Sequence, residues 1–310
     1  MKGLQLARYD GWALGAKVSV LALHAKWATA RCAAAAAFAE LERIERVMSL
    51  YRDESQLVQL NRRGVLEDPD GLLVSALRYA AEMSHCSAGA FDATVQPLWD
   101  VYFQADQRAA LPDEADIECV RRLVGWQNVE VSSRRIRLGR PGMGVTLNGI
   151  AQGMAADRVL AVLHNHGVEH ALVNTGEIAS MGRKSPDAPW TVGVQHPRQA
   201  DAYIALAALD GRCMATSGDY ETHFGAGFDN NHIFDPATGH SPAAFSSVTV
   251  LAPRGIEADA LSTAVFVLGP EKGLQLVKAT AGADALLVFK DGRMLSTDGF
   301  PRVEPGGTAT

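Results

Sequence analysis

Apolar side chains recur at helical spacing in several parts of the chain. In the alanine-rich stretch 27–49, Phe38, Leu41, Ile44 and Met48 follow one another at intervals of three and four residues. This spacing predicts a helix with one buried stripe. Further helices are predicted at 72–83, 150–166, 257–268 and 270–279. The helix at 150–166 is expected to end at Gly167, because glycine commonly follows the last helical residue.

Apolar runs with the shorter period of strands fill much of the remaining sequence. The segment 17–23 begins with alternating polar and apolar residues and ends in an apolar run, which predicts a strand. Other strands are predicted at 171–174, 190–195, 203–209 and 247–251, and hairpins at 129–138 and at 285–289 with 293–296. The second hairpin turns at Asp291 and Gly292, a pair that tolerates the positive φ of a tight turn.

The order of these elements predicts an α+β fold, because helices and strands mix without strict alternation. A chain of 310 residues can bury a substantial core. We expect one domain over 1–310, made of two closely packed lobes, with a flexible tail at 300–310 that frays from Pro305 onward. The polar stretch 105–116, which contains Pro112, is interpreted as a surface excursion at the edge of a lobe.

Composition narrows the class of protein. The formal net charge of −6, without a long Lys/Arg run, argues against a general nucleic-acid binder. No stretch reaches the length of a membrane span, and the first 30 residues lack the apolar region of a signal peptide. The four cysteines form no CxxC pair, which argues against a thiolate metal site, and most of them are predicted to be buried apolar residues.

The segment EADALST, residues 257–263, carries the first candidate chemistry. Asp259 and Thr263 are about 40° apart around the predicted helix and lie opposite the apolar side that contains Leu261, so we expect them on an exposed face. A carboxylate and a hydroxyl are hard oxygen ligands that suit magnesium and leave room for phosphate oxygens. Alternatively, Asp259 complements the helix N-terminus and Thr263 bonds locally.

Two polar segments in the second half offer further candidate contacts. In ATSGDY, residues 215–220, Thr216 and Ser217 present hydroxyl and backbone donors suited to a phosphate or to the edge of a flavin ring. In HIFDPATG, residues 232–239, His232 is a candidate general base, because histidine titrates near neutrality. The alternatives are a structural histidine and an ordinary turn.

Three segments in the first half remain open between binding and packing. In NGIAQGMAAD, residues 148–157, the helix start at Gly149 is a candidate pyrophosphate cradle, whereas Gly149 and Gly153 also permit close helix packing. In 48–62 and 88–99, Tyr51 and Phe91 could stack on rings or belong to the core. The polar members of 88–99 are Asp92 and Thr94. A Walker loop and a strand-linked GxGxxG are absent from the sequence.

Taken in order, these segments resemble the FAD:protein FMN transferase family, also called ApbE-type flavin transferases. The resemblance spans about 14–289 and is strongest in YRDESQLVQLN, GAFDATVQPLW, ATSGDY, HIFDPATG and 247–274. It implies a T-fold-related α+β structure with an FAD site between the two lobes. It also implies magnesium-dependent transfer of FMN from FAD to a threonine hydroxyl of an acceptor flavoprotein, with AMP released. An FAD pyrophosphatase and a non-catalytic FAD-binding protein are the alternatives.

The resemblance also assigns residues by position. Asp259 and Thr263 match magnesium ligands, with the backbone carbonyls of Ala151 and Ser262 completing the set, and Asp259 and His232 are the expected catalytic residues. His232, or an adjacent carboxylate, is expected to accept the threonine proton. The implied FAD contacts are Leu14, Tyr51, Ala90, Phe91, Asp92, Thr94, Asn148, Gln152, Glu177, Thr216, Ser217 and His232.

Two positions depart from the family pattern. Leu14, Gly15 and Ala16 stand where the family usually has Met-Gly-Thr, and Gln152 stands where a lysine is common. The change at Leu14 affects an expected contact with the flavin, and the change at Gln152 replaces a cationic side chain expected to bind a phosphate. The family relation implies a periplasmic or inner-membrane-associated location, whereas a chain that is complete as given would be cytoplasmic; the sequence leaves the compartment open.

Overall fold

The computed structural model describes residues 3–303. The helices are α1 (Trp27–Met48), α2 (Gln56–Arg63), α3 (Gly71–Cys86), α4 (Gln96–Asp106), α5 (Glu114–Arg121), α6 (Ala151–Asn165) and α7 (Gly255–Ala279). The strands are β1 (Gln5–Ala13), β2 (Ala16–His24), β3 (Val65–Glu67), β4 (Val129–Val131), β5 (Arg135–Leu138), β6 (His170–Asn174), β7 (Ile178–Met181), β8 (Trp190–His196), β9 (Gln199–Leu209), β10 (Cys213–Gly218), β11 (Phe245–Ala252), β12 (Asp284–Phe289), β13 (Met294–Ser296) and β14 (Arg302–Val303). Helices and strands mix without strict alternation, so the predicted α+β class is confirmed.

An eight-stranded antiparallel sheet organises the chain, in the order β1-β2-β6-β7-β10-β11-β12-β13. Its first face packs against α1, α6 and α7 through a large apolar cluster that includes Leu41, Val159 and Phe266. Part of its second face is covered by a smaller sheet, β14-β9-β8, through a cluster that includes Trp190 and Met214. Strand β11 is buried at every position because it lies between these layers.

The strongly periodic elements agree with the sequence predictions. Each predicted helix and strand has a counterpart, and the break before Pro270 appears as a kink in α7 at Gly269, whose φ is 76°. The hairpin at Asp291 has three residues between Phe289 and Arg293, and Gly292 supplies the positive φ. In both cases the residue with special backbone freedom sets the local geometry.

Three predictions about the chain were wrong in part. The stretch 105–116 is an exposed connection only from 107 to 113, because α4 ends at Asp106 and α5 begins at Glu114. The prediction of a flexible tail at 300–310 is wrong for 300–303, where Phe300 is buried and β14 pairs with β9. The rest of that predicted tail, 304–310, lies outside the described residues. Of the cysteines, only Cys213 is buried. None of the helices within 3–303 has the length and apolar character needed to cross a membrane.

Candidate active site

A cavity of about 1120 Å³ lies beside the second face of the large sheet and reaches the first turn of α6 and the second and third turns of α7. Its wall contains every residue that the sequence assigned to a site except Thr94 and Ser262. These residues are Leu14, Tyr51, Ala90, Phe91, Asp92, Asn148, Ala151, Gln152, Glu177, Thr216, Ser217, His232, Asp259 and Thr263. A cavity of this volume accommodates a ligand the size of a dinucleotide.

Asp259 faces this cavity from the second turn of α7. The side chain is only 4% exposed, and its Oδ2 accepts a hydrogen bond from the Gly153 N–H at 2.9 Å. The expectation of an exposed face was wrong, because α7 packs against β10 and β11 on one side and against α6 on the other. The carboxylate therefore bonds to the N-terminus of α6 in addition to facing the cavity.

Helices α6 and α7 each supply an aspartate that accepts hydrogen bonds from N–H groups in the first turn of the other helix. Asp157 of α6 accepts hydrogen bonds from the N–H groups of Gly255 at 2.6 Å and Ile256 at 3.0 Å. The crossing needs glycine, since a Cβ on Gly153 would lie 2.1 Å from the Gly255 oxygen. Close helix packing is thus the role of Gly153, and Asp259 already uses one N–H of the expected pyrophosphate cradle. The helix itself begins at Ala151, not at Gly149.

Hydroxyl groups of β10 and α7 contact one another next to the turn of α7 that carries Asp259. Ser217 Oγ lies 3.1 Å from Thr263 Oγ1 and 2.8 Å from Ser262 Oγ. Ser262 is buried behind the wall, where its hydroxyl donates to the Asp259 carbonyl at 2.9 Å. Thr216, on β10, pairs its hydroxyl with that of Thr249 at 2.9 Å. Thr263 and Ser217 thus bring hydroxyl oxygens to the same wall as Asp259.

Glu177 adds a second carboxyl group to this part of the cavity. Its Oε2 accepts a hydrogen bond from the Thr216 N–H at 3.1 Å. Burial raises the pKa of Asp259, and burial together with the charge of Asp259 raises the pKa of Glu177. A cation at this wall would offset both effects, since an opposite charge favours the ionised carboxyls.

The donors at this wall suit a hard cation. Within residues 3–303, no group of three or more His, Cys, Asp and Glu side chains is arranged to hold a metal ion. The available donors are carboxylate, hydroxyl and carbonyl oxygens, which magnesium accepts while it keeps several waters and phosphate oxygens. The residues present therefore fit magnesium better than a transition metal that prefers nitrogen or sulfur ligands.

His232 lies in the connection between β10 and β11. Its backbone N–H donates to the Thr222 carbonyl at 3.0 Å, and its Nδ1 lies 3.1 Å from the same oxygen. A carbonyl only accepts, so Nδ1 carries the proton and Nε2 is left as an acceptor. Burial lowers the pKa of His232, which keeps the ring neutral near pH 7. This is the protonation state that a general base needs.

Ion pairs anchor the start of the connection that carries His232. Asp219, which follows β10, is fully buried, and its two oxygens accept bonds from Arg198 at 2.7 and 2.8 Å. The Arg198 guanidinium also lies 4.0 Å from the centre of the Phe228 ring, and Lys290 bonds to Asp229 at 2.8 Å. These contacts tie the connection to the β8–β9 and β12–β13 turns.

The two polar side chains of the 88–99 segment, Asp92 and Thr94, bond to groups within the protein. Asp92 accepts bonds from the Thr94 N–H and hydroxyl at 2.8 and 2.6 Å and from the Trp126 N–H at 3.0 Å. Thr94 accepts from the Gly125 N–H at 2.7 Å and lies outside the cavity wall. Phe91 is 4% exposed and belongs to the core, whereas Tyr51 is 79% exposed at the rim. The alternative of core packing holds for Phe91 only.

One wall of the cavity was missed by the sequence analysis. Val192, Gly193, Gln195 and Tyr203 reach the cavity from β8 and β9, and nothing in their strand pattern separates them from ordinary sheet residues. Gly193 lies against the Tyr203 ring, where a Cβ would be 2.3 Å from Cδ1. Trp99, which also lines the cavity, ends the motif GAFDATVQPLW and could have been assigned from it.

Most of the chain is similar in sequence to ApbE-family proteins and to proteins named FAD:protein FMN transferase. The family model described as the ApbE family matches residues 14–287. The FAD:protein FMN transferase of Treponema pallidum is 34% identical, and the match covers 85% of this chain and 78% of that protein.

Solved structures agree with this assignment. The crystal structure of the ApbE protein of Thermotoga maritima has a TM-score of 0.87 at 29% identity, covering 96% of this chain and all of the other. The apo flavinyl transferase ApbE of Pseudomonas stutzeri has a TM-score of 0.81 at 29% identity, covering 95% of this chain and 94% of the other. Fold, site motifs and family match coincide over the same residues, and the chain belongs to the ApbE family.

Proposed function

We propose that this protein transfers the FMN half of FAD to a threonine hydroxyl of an acceptor flavoprotein and releases AMP. The observation that carries the proposal is the shared wall of Asp259, Thr263 and Ser217, in a cavity that the neutral His232 also lines. The relatives named FAD:protein FMN transferase support the same reaction. FAD is the substrate, and the acceptor brings the hydroxyl to the cavity.

The reaction exchanges a phosphoanhydride bond of FAD for a phosphoester bond to the acceptor. The threonine oxygen forms a bond to the FMN phosphorus, and the bond from that phosphorus to the bridging oxygen of the diphosphate breaks. AMP leaves with that electron pair. His232 Nε2 accepts the threonine proton, because Nδ1 is already occupied by its bond to Thr222.

We propose magnesium as the cofactor, held by the Asp259 carboxylate, the Thr263 hydroxyl and the carbonyl oxygens of Ala151 and Ser262. When bound, magnesium neutralises charge on the diphosphate and on the departing AMP. Asp259 is fixed for this role by its bond to Gly153, and Thr263 by its contact with Ser217. Positioning of this kind supplies much of the catalysis in phosphoryl transfer.

FAD is proposed to contact residues that line the cavity. Besides His232, they are Leu14, Tyr51, Ala90, Phe91, Asp92, Asn148, Gln152, Glu177, Thr216 and Ser217. Thr94 acts indirectly, since it bonds to Asp92 behind the wall. The amide of Gln152 replaces a cationic phosphate partner with a neutral one, which leaves more of the diphosphate charge to magnesium.

An assay of AMP release with and without an acceptor tests the proposal. Purified protein, FAD and magnesium are incubated alone and with candidate flavoprotein domains from the same genome, and AMP and flavin-labelled protein are measured. We expect AMP to rise in step with labelled acceptor and to vanish when EDTA is added. Release of AMP at the same rate without any labelled acceptor would identify an FAD pyrophosphatase. Stable FAD binding without AMP would identify a binding protein.

A further inference from the structure

Two segments distant in sequence form adjoining parts of the cavity wall. The turn between β1 and β2 contributes Leu14, Gly15 and Ala16, and the chain that follows α1 contributes Ser49 and Tyr51. Tyr51 is exposed at the rim, so packing alone does not hold it in place. The position of this wall therefore depends on the polar contacts behind it.

Glu45, in the last turn of α1, connects the two segments. Its Oε1 accepts a hydrogen bond from the Leu14 N–H at 2.6 Å, and its Oε2 accepts one from Arg52 Nη2 at 2.6 Å. The side chain is only 17% exposed, and Glu45 does not belong to the cavity wall. One carboxylate thus joins the β1–β2 turn to the residue that follows Tyr51.

The turn that Glu45 holds is conformationally unfavourable. Leu14 and Gly15 form a two-residue turn with φ values of 55° and 72°. Hairpin turns of this kind favour glycine or asparagine, and a leucine with positive φ needs support from its surroundings. The bond from the Leu14 N–H to Glu45 provides such support, and the bond from Arg52 to the second carboxylate oxygen orients the side chain toward both partners.

We infer that Glu45 is a positioning residue that sets the affinity for FAD without touching it. It holds the Leu14 turn and the Tyr51 segment together as one wall of the cavity. The inference rests on the proposed function in one respect, namely that FAD is the molecule the wall encloses. Loss of Glu45 should therefore weaken FAD binding and raise KM for FAD, with little effect on kcat at saturating FAD.

Direct binding of FAD, measured by flavin fluorescence in the absence of acceptor, tests the inference on Glu45→Ala and Glu45→Gln. We expect Glu45→Ala to raise Kd about tenfold, the size of effect expected when a charge-assisted hydrogen bond is lost, and to change kcat less than about threefold. Glu45→Gln keeps an acceptor for the Leu14 N–H, so its Kd for FAD should lie between the values of the native protein and of Glu45→Ala. Glu42→Ala is the matched control, because Glu42 lies on the same helix and, among residues 3–303, forms its one ion pair with Arg46 at the surface.

A second variant separates positioning from general loss of structure. Glycine adopts positive φ freely, so in a Leu14→Gly background the additional effect of Glu45→Ala on Kd should be well below its effect in the native background. An equal effect in both backgrounds contradicts the inference, as does a Kd for Glu45→Ala within about twofold of the native value. Failure of the native protein to bind FAD would instead overturn the proposed function.

Discussion

Two features of its surroundings act in opposite directions on the pKa of the Asp259 carboxylate. Its bond to the Gly153 N–H favours the ionised form, whereas burial raises its pKa from the ordinary 3.8 to about 7. In the folded protein without a cation, Asp259 therefore holds a proton to a higher pH than it does in the unfolded chain. The contribution of Asp259 to the free energy of unfolding consequently falls as pH rises from about 4 to about 7, because this carboxylate binds more protons in the folded state than in the unfolded state within this window.

Asp259→Asn should remove this pH dependence. The amide oxygen still accepts from Gly153, so in EDTA we expect the variant to melt above the native protein at about pH 8, with the difference shrinking toward about pH 5. Magnesium should raise the melting temperature of the native protein only. Thermal unfolding across pH, with and without magnesium, measures both effects. Parallel pH curves for the two proteins would show that the Asp259 charge is not disfavoured in the fold.

His232→Gln tests the assignment of proton transfer. The glutamine can bond but cannot take up the threonine proton, so kcat should fall by roughly 10²- to 10⁴-fold while Kd for FAD stays nearly unchanged. Single-turnover transfer and flavin fluorescence measure the two quantities separately. If FAD binding disappears and the rate at saturation does not fall, the histidine grips FAD and another group accepts the proton.

At this scale the sequence predicted the wall residues well and their partners poorly. Asp259, Thr263 and His232 were assigned to the site through the order of the motifs that carry them, and all three line the cavity. Thr94 was assigned to a ligand because a local pattern cannot show that its hydroxyl faces Asp92 and Gly125. Glu45 carried no signal, since a glutamate at the end of a helix resembles an ordinary surface residue.

Among the elements, the crossing of α6 and α7 controls the geometry of the site. Gly153 and Gly255 let the two first turns approach closely, and Asp157 and Asp259 exchange caps between them. A side chain at this crossing would push the helices apart and separate Asp259 from the start of α6. The position of Asp259 thus depends on the absence of two Cβ atoms.

Gly153→Ala should therefore lower both stability and activity. Overpacking at this crossing is expected to destabilise the protein by about 3 kcal/mol and to weaken magnesium-dependent transfer in the fraction that folds. Chemical denaturation and the AMP assay provide the measurements. Gly71→Ala is the matched control, because Gly71 begins α3 and a Cβ there meets nothing within 4 Å. Equal stability of the two variants would mean that the crossing adjusts without strain.

Long periodic elements were predictable from the sequence, and short ones were not. The stripes of α1, α3 and α6 repeat over several turns, which identifies each of them as a helix. Helices α2 and α5 have eight residues each and lie among polar segments, so they carry too few apolar positions for a period. Strand β10 escaped notice because its polar residues were interpreted only as a site.

For the whole molecule, the cavity results from stacking layers that are far apart in sequence. The large sheet, the helices behind it and the β8–β9 sheet in front of it bring residues from 8 to 263 to one cavity. Class and motif order could be predicted, because each depends on local pattern. The β8–β9 wall could not, because its place is decided by contacts with Met214 and Leu251 on distant strands.

A crystal structure with FAD and manganese tests the central claim most directly, because Mn²⁺ accepts the same oxygen ligands as magnesium and gives an anomalous signal. We predict an anomalous peak within about 2.5 Å of the Asp259 carboxylate and the Thr263 hydroxyl, with a diphosphate oxygen as a further ligand. A cation and diphosphate bound elsewhere in the cavity, with both side chains free of contacts to them, would contradict the account.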